Sequence, residues 1–125
     1  MIKCYVVVGD WLSVGARQAQ GLHALQELNL EYPDQVKNWS QMDSNIVIVL
    51  TADMVALNVT CEKLYLDGMT VSDFREPDFM NERTAFAVLV DSQMSVEALS
   101  KLKLSSRNSW WSNHKAVKRE QSLRA

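Results

Sequence analysis

Ile2-Lys-Cys-Tyr-Val-Val-Val-Gly9, then across the turn 10–14, Gly15-Ala-Arg-Gln-Ala-Gln20-Gly-Leu-His23-Ala24: the reading of this stretch decides the fold. The first run is β-branched and aromatic and ends on glycine, which predicts a strand. Its unbroken apolar character predicts cover on both faces. The second run reads as the opening turns of a helix with Ser13 as its N-cap. Ala16, Ala19, Leu22, Leu25 and Leu28 recur at intervals of three and are read as the core side of a helix from about Gly15 to Leu30. Tyr32-Pro33-Asp34 stops that helix.

Working outward, residues 35–42 form a short amphipathic piece holding Trp39, and residues 45–51 read as a second buried strand. Asp53 is read as the N-cap of a helix lined by Leu57, Cys61 and Leu64, with Gly68 at the position after its C-cap. Residues 70–75 alternate as an edge strand would. Pro77 bars ladder bonding in the turn 76–83, and residues 84–90 are a fourth strand. Ser95 is expected to cap a last helix over 96–104. Helical crossovers between the first three strands favour parallel pairing, while the short turn lets strands three and four run antiparallel. The expected product is α/β: a single three-layer α/β/α domain around a four-stranded mixed sheet over 1–104, then a tail over 105–125.

With 125 residues, 47% hydrophobic and 22% charged, the chain suits one globular domain. Its formal net charge of −2 exerts no global pull toward nucleic acid. The charge is uneven, however. Beyond Leu104, five basic residues (Arg107, Lys115, Lys118, Arg119, Arg124) face Glu120 alone, a surplus of four that leaves −6 on the rest. An acidic body with a basic tail holding Trp110-Trp111 hints at an RNA or DNA partner; a solvated terminus is the plainer reading. Cys4 and Cys61 read as small core residues of a reducing cytoplasm, with no metal-ligand spacing. No cleavable signal or membrane-length apolar run is seen, and Asn58-Val-Thr60 is read as an accidental sequon.

The chemistry concentrates at the start of the first helix. Gln20 and His23, three residues apart, are neighbours on one face. Gly15 sits where loop becomes helix, Arg17 adds positive charge, and backbone N–H groups there can receive an anion. In α/β sheets ligands gather beyond strand carboxyl ends, which nominates the loop 10–15 and the turn 76–83.

The run Gly15…Gln20-Gly-Leu-His23-Ala24 after an N-terminal strand resembles the signature of archaeal- and eukaryotic-type peptidyl-tRNA hydrolases. Trp39 before a strand, Gly68 before the third strand, the acidic turn Glu76-Pro77-Asp78 and Thr84-Ala85 opening the last strand follow in the family's order, over roughly residues 2 to 90. The chain departs from that pattern at Ala16, where the family has a lysine, and at Pro77. A one-residue shift turns a helical side chain by about 100°, so Arg17 does not simply replace the lysine.

The resemblance implies hydrolysis of the ester joining a peptide, or an N-blocked aminoacyl group, to the 3′ ribose of tRNA, without metal or organic cofactor. It implies His23 as base or proton shuttle, Asp78 or Glu76 orienting it or activating water, and Gln20, Thr84 and the N–H groups near Gly15 polarising the carbonyl. Arg17 would meet a phosphate and Trp110-Trp111 would stack on bases. Each residue also has a plain reading. His23 and Gln20 can serve structural hydrogen bonds, Glu76 and Asp78 are turn formers, Thr84 can merely begin a strand, and Arg17 can be a solvated charge. Trp110 and Trp111 can pack the tail against the domain or a partner. The alternative function is a fold that has lost turnover and acts as an RNA- or protein-binding module. No membrane partner is expected; a homodimer and a protein docked through the tail stay open.

Overall fold

A computed structural model describes residues 1–94 and 96–105. Five strands form one mixed sheet: β1 (Ile2–Gly9), β2 (Ile46–Ala52), β3 (Thr70–Glu76), β4 (Glu82–Asp91) and the two-residue β5 (Lys103–Leu104), in the order β3-β4-β1-β2-β5. β1 runs parallel to β2 and antiparallel to β4, and β3 and β5 are antiparallel to their neighbours β4 and β2. The sheet thus has one strand more than the four expected. β3 pairs only with β4 and lies at the edge, because the short turn delivers β4, not β3, to the side of β1.

Helices α1 (Val14–Glu31) and α2 (Pro33–Lys37), with a π-helical turn over Asn38–Met42, cover one face. There Cys4, Val6 and Val8 of β1 pack with Ala24, Leu28, Val36 and Trp39, and with Ala85 and Ala87 of β4. Helices α3 (Met54–Leu66) and α4 (Glu97–Ser100) cover the other, where Leu57, Cys61, Leu64 and Leu99 meet Val7, Leu50, Val71, Phe86 and Val88. Three layers result, with apolar residues alternating between the two cores along β1 and β4.

The caps follow local chemistry. The Ser13 side chain accepts from the Ala16 N–H, and the Asp53 carboxylate from the Ala56 N–H at 2.8 Å. At the end of α3, Gly68 takes φ +71°, while its N–H and that of Met69 reach back to the Tyr65 and Leu64 carbonyls. The last helix is shorter than expected: α4 covers only Glu97–Ser100, and the chain then returns to the sheet as β5. Ser95 lies outside the described residues.

Two expectations about burial are corrected. The core stripe of α1 is Arg17, Gln20, Gly21, Ala24 and Leu28, whereas Ala19 and Leu22 are exposed. An interval of exactly three rotates about 60° backward per step on a helix of 3.6 residues per turn, so a run of such steps leaves the core face. Gly21 lets α1 approach β1, since a Cβ there would come within 3.2 Å of Val8 and 3.3 Å of Val6. The second correction concerns β2. Val47 and Val49 are exposed, because α1 lies over β1, β4 and β3 and nothing among the described residues covers β2 on that side.

Candidate functional site

Along β3, alternate side chains face α1, and each meets it. Ser72 donates to the Glu31 carboxylate at 2.5 Å. Phe74 lies under the His23 ring, centroids 4.5 Å apart. The Glu76 carboxylate accepts from the Gln20 amide at 2.9 Å. The sequence produces this ladder simply. A strand presents every second residue to one face, and a helix running antiparallel above it supplies partners in descending order, here Glu31, His23 and Gln20.

Gln20 is the centre of the cluster. Its Nε2 donates to Glu76 Oε2, and its Oε1 accepts from Thr84 Oγ1 at 3.1 Å. Thr84 reaches this face through a bulge. Register slips between Phe74↔Ala85 and Arg75↔Arg83, so Thr84 has no partner on β3. Thr84 and Ala85 in consequence both turn toward α1, where strict alternation would send Thr84 to the opposite face. Thr84 is wholly buried, Gln20 nearly so, and Glu76 half-buried. The second Glu76 oxygen accepts from the Asp78 N–H at 3.3 Å as the chain turns through a 3-10 turn (Pro77–Phe79). Met80 and Asn81 complete the turn in left-handed backbone, at φ 55° and 59°. His23 and the Asp78 side chain are exposed.

Of the two acids that the resemblance offered, Glu76 is the one hydrogen-bonded to α1; Asp78 contributes a backbone N–H. Gln20, Glu76 and Thr84 are joined by hydrogen bonds, and His23, one turn further along α1, lies against Phe74. Arg17 goes elsewhere. It is buried, with Nε donating to the Leu12 carbonyl at 2.9 Å and Nη2 to that of Asp10 at 2.6 Å. It braces the loop between β1 and α1 from the core side, where the spacing 17, 20–21, 24, 28 puts it. Gly15 is exposed, with open space where a Cβ would stand. Trp110 and Trp111 lie outside the described residues.

A second polar cluster, on the opposite face, escaped the sequence reading. Arg83, only 4% exposed, donates to Asp73 at 2.7 Å, Glu62 at 2.6 Å and the Asn58 side chain at 3.1 Å. The Tyr65 hydroxyl donates to Asp73 and accepts from its N–H. Burial alone lowers the Arg83 pKa, but hydrogen bonds to Asp73 and Glu62 outweigh it and push it up. Burial and the charge of Asp73 push the Tyr65 phenol up as well. Three side chains of the chain itself, Asp73, Glu62 and Asn58, accept from this guanidinium, a structural arrangement. An arginine opening an otherwise apolar strand, Arg83-Thr-Ala-Phe86, was the signal available for it. Cys4 and Cys61 are buried and free, and burial pushes each thiol up to about 12. Among the described residues no group of three or more His, Cys, Asp and Glu side chains is placed to hold a metal ion, and no helix is long and apolar enough to cross a membrane.

No protein-family model matches this chain, and no curated protein does. Among solved structures, one similar chain is a protein of unknown function, Atu0240 of Agrobacterium tumefaciens strain C58. It is 14% identical, with a TM-score of 0.65, over 84% of this chain and 98% of that one. At that identity the likeness shows the fold alone.

Proposed function

We propose that the chain hydrolyses the ester between a peptide, or an N-blocked aminoacyl group, and the 3′ ribose of tRNA. The observation that supports this reading best is the Gln20 bridge, which ties a half-buried carboxylate to a buried hydroxyl while an open imidazole stands one helical turn away. In this reading Glu76 is the general base. The Gln20 amide and the Asp78 N–H orient its carboxylate, and its remaining lone pairs take the proton of an attacking water. Gln20 keeps one amide N–H beyond its bond to Glu76, and that N–H is the donor for the developing oxyanion. His23, held against Phe74 and open to solvent, delivers a proton to the departing 3′ oxygen. Thr84 holds the Gln20 amide in the required orientation. tRNA is the partner, and the surplus positive charge beyond Leu104 is its electrostatic contact.

A second reading, a binding module without turnover, is favoured by one observation. Arg17 spends its guanidinium on loop carbonyls and Ala16 stands at the family's lysine position, so neither supplies a free cation to this end of α1.

Deacylation of an N-acetylated aminoacyl-tRNA by wild type, His23→Ala and Glu76→Gln separates the two. The hydrolase reading expects turnover by wild type and a loss of about 100-fold or more in each variant, the usual scale for removing a general acid or base. No deacylation above buffer, with salt-sensitive tRNA binding retained, would favour the binding module. Equal rates in all three proteins would remove His23 and Glu76 from the chemistry.

A further inference from the structure

On the face of the sheet that carries α1, the strip over β2 is bare among the described residues. Val47 and Val49 are 44% and 38% exposed, and across from them Leu22 of α1 is 68% exposed. Between them runs a groove of about 820 Å³, floored by Val6 and Val8 and continued along α1 to Leu25. Its size falls within the ~300–1,000 Å³ of small-molecule sites. Residues 18, 21, 22 and 25 put it on the flank of α1 away from Gln20 and His23, so the proposed chemistry does not use it.

One end of this aliphatic groove holds a charge. Arg17 lines it and is only 6% exposed. Its Nε and Nη2 donate to the backbone carbonyls of Leu12 and Asp10, which take two of its five N–H groups and none of its charge. Of the three arginines among the described residues, Arg75 and Arg83 are ion-paired with carboxylates; Arg17, nearly as buried as Arg83, is not. Burying a cation without a counter-charge is costly, and buried charges are normally paired. Nη1 is the free end of this guanidinium. It has no acceptor among the described residues, where every fully buried polar side-chain atom has a partner, so Nη1 is open, and the groove is the space beside it.

An anion that fits here brings an apolar body. Valines and leucines make the walls; besides Arg17, only Gln18 at the same end and Ser105 beside Val49 line the groove with polar side chains. A peptide laid along such walls leaves backbone N–H and C=O groups unmet, whereas an alkyl chain has none to satisfy. Arg17 and Leu25 stand eight residues apart on α1, about 12 Å, the reach of a medium-length alkyl chain. Among the described residues no acid lines the groove, so no carboxylate there repels an anion. We propose that the groove binds a medium-chain aliphatic monocarboxylate, its carboxylate on Arg17 Nη1 and the Gln18 amide, its chain between Leu22 and the valines of β2. The ligand supplies the counter-charge that the fold withholds from Arg17, and its chain covers the strip of β2 that α1 leaves bare.

The test is calorimetric titration of the full chain with octanoate, below its micellar concentration, and with 1-octanol, which has the same chain length and no charge. The proposal expects saturable one-to-one binding of octanoate, about tenfold or more tighter than 1-octanol, the scale of one charge-assisted pair. Arg17→Met should erase that preference by weakening octanoate alone, with 1-octanol binding as the check that the groove is still formed. Because Arg17 also braces the loop before α1, Leu22→Glu is the second variant. It lies at an exposed position, sets a carboxylate on the groove wall and should weaken octanoate at least tenfold. Octanoate that does not bind at millimolar concentration overturns the proposal; a dimeric mass in the same sample then gives the groove to a second copy. Equal affinity for octanoate and 1-octanol overturns it by removing Arg17 from recognition. Octanoate binding that survives Leu22→Glu overturns it by placing the ligand elsewhere. None of these readouts depends on hydrolytic activity.

Discussion

Gln20→Met is the most informative single perturbation of the candidate site. Methionine matches glutamine in length and leaves no cavity, so the change isolates hydrogen bonding. Two partners are stranded. The Thr84 hydroxyl, wholly buried, loses its acceptor, which costs about 1–3 kcal/mol as an unmet buried donor. The Glu76 carboxylate loses a charge-assisted bond of about 1.5–3 kcal/mol, discounted because this half-buried group regains water. The expected total is about 3 kcal/mol, or about 10 °C in Tm for a chain of this size. Thr84→Val alone strands only the Gln20 oxygen and should cost about 1–2 kcal/mol. The double variant replaces both ends of the Thr84–Gln20 bond by apolar groups. It should therefore cost no more than Gln20→Met alone, a coupling of about 1–2 kcal/mol. Urea unfolding followed by far-ultraviolet circular dichroism measures all four proteins, with an unchanged m-value as the check on two-state behaviour. If Gln20→Met falls within about 0.5 kcal/mol of wild type, or the two single effects simply add, Gln20 does not bridge the cluster.

Arg83→Met should destabilise by about 2 kcal/mol in the same assay, less than a fully buried pair, because Glu62 is 60% exposed and rehydrates. Glu62→Gln should cost under about 1 kcal/mol; equal losses from the two would contradict the view that Asp73 is the main partner. Stability should fall as pH rises above 9.0, since unfolded thiols ionise there while Cys4 and Cys61 hold their protons up to about 12. The unfolded state binds fewer protons in that window, so each thiol lowers stability by about 1.4 kcal/mol per pH unit. Cys61→Ala should flatten the slope measured by urea titrations. Gly68→Ala should cost about 1 kcal/mol from its left-handed φ alone, as no atom crowds the site; a neutral result in thermal melts would refute that origin.

The local part of this molecule was written in its sequence. β-branched runs announced β1, β2 and β4, Ser13 and Asp53 announced helix starts, and Gly68 announced a helix end. These features depend on neighbours a few residues away, so period, cap and turn chemistry suffice to read them. That Gln20, the acidic turn and Thr84 lie near one another was suggested only by a resemblance, not by physics, and the contacts seen are those of Gln20 with Glu76 and Thr84. What the tertiary structure alone decided is how distant surfaces meet. It put Glu76 rather than Asp78 on Gln20 and turned Thr84 inward through a bulge. It drew Arg17 into the core side of α1, and it left β2 bare where α1 shifts toward β4. Each of these depends on the sheet order and on the lateral position of one helix, set by packing between segments tens of residues apart. No local pattern encodes where a helix comes to rest across a sheet, because that position is the balance of every side chain beneath it.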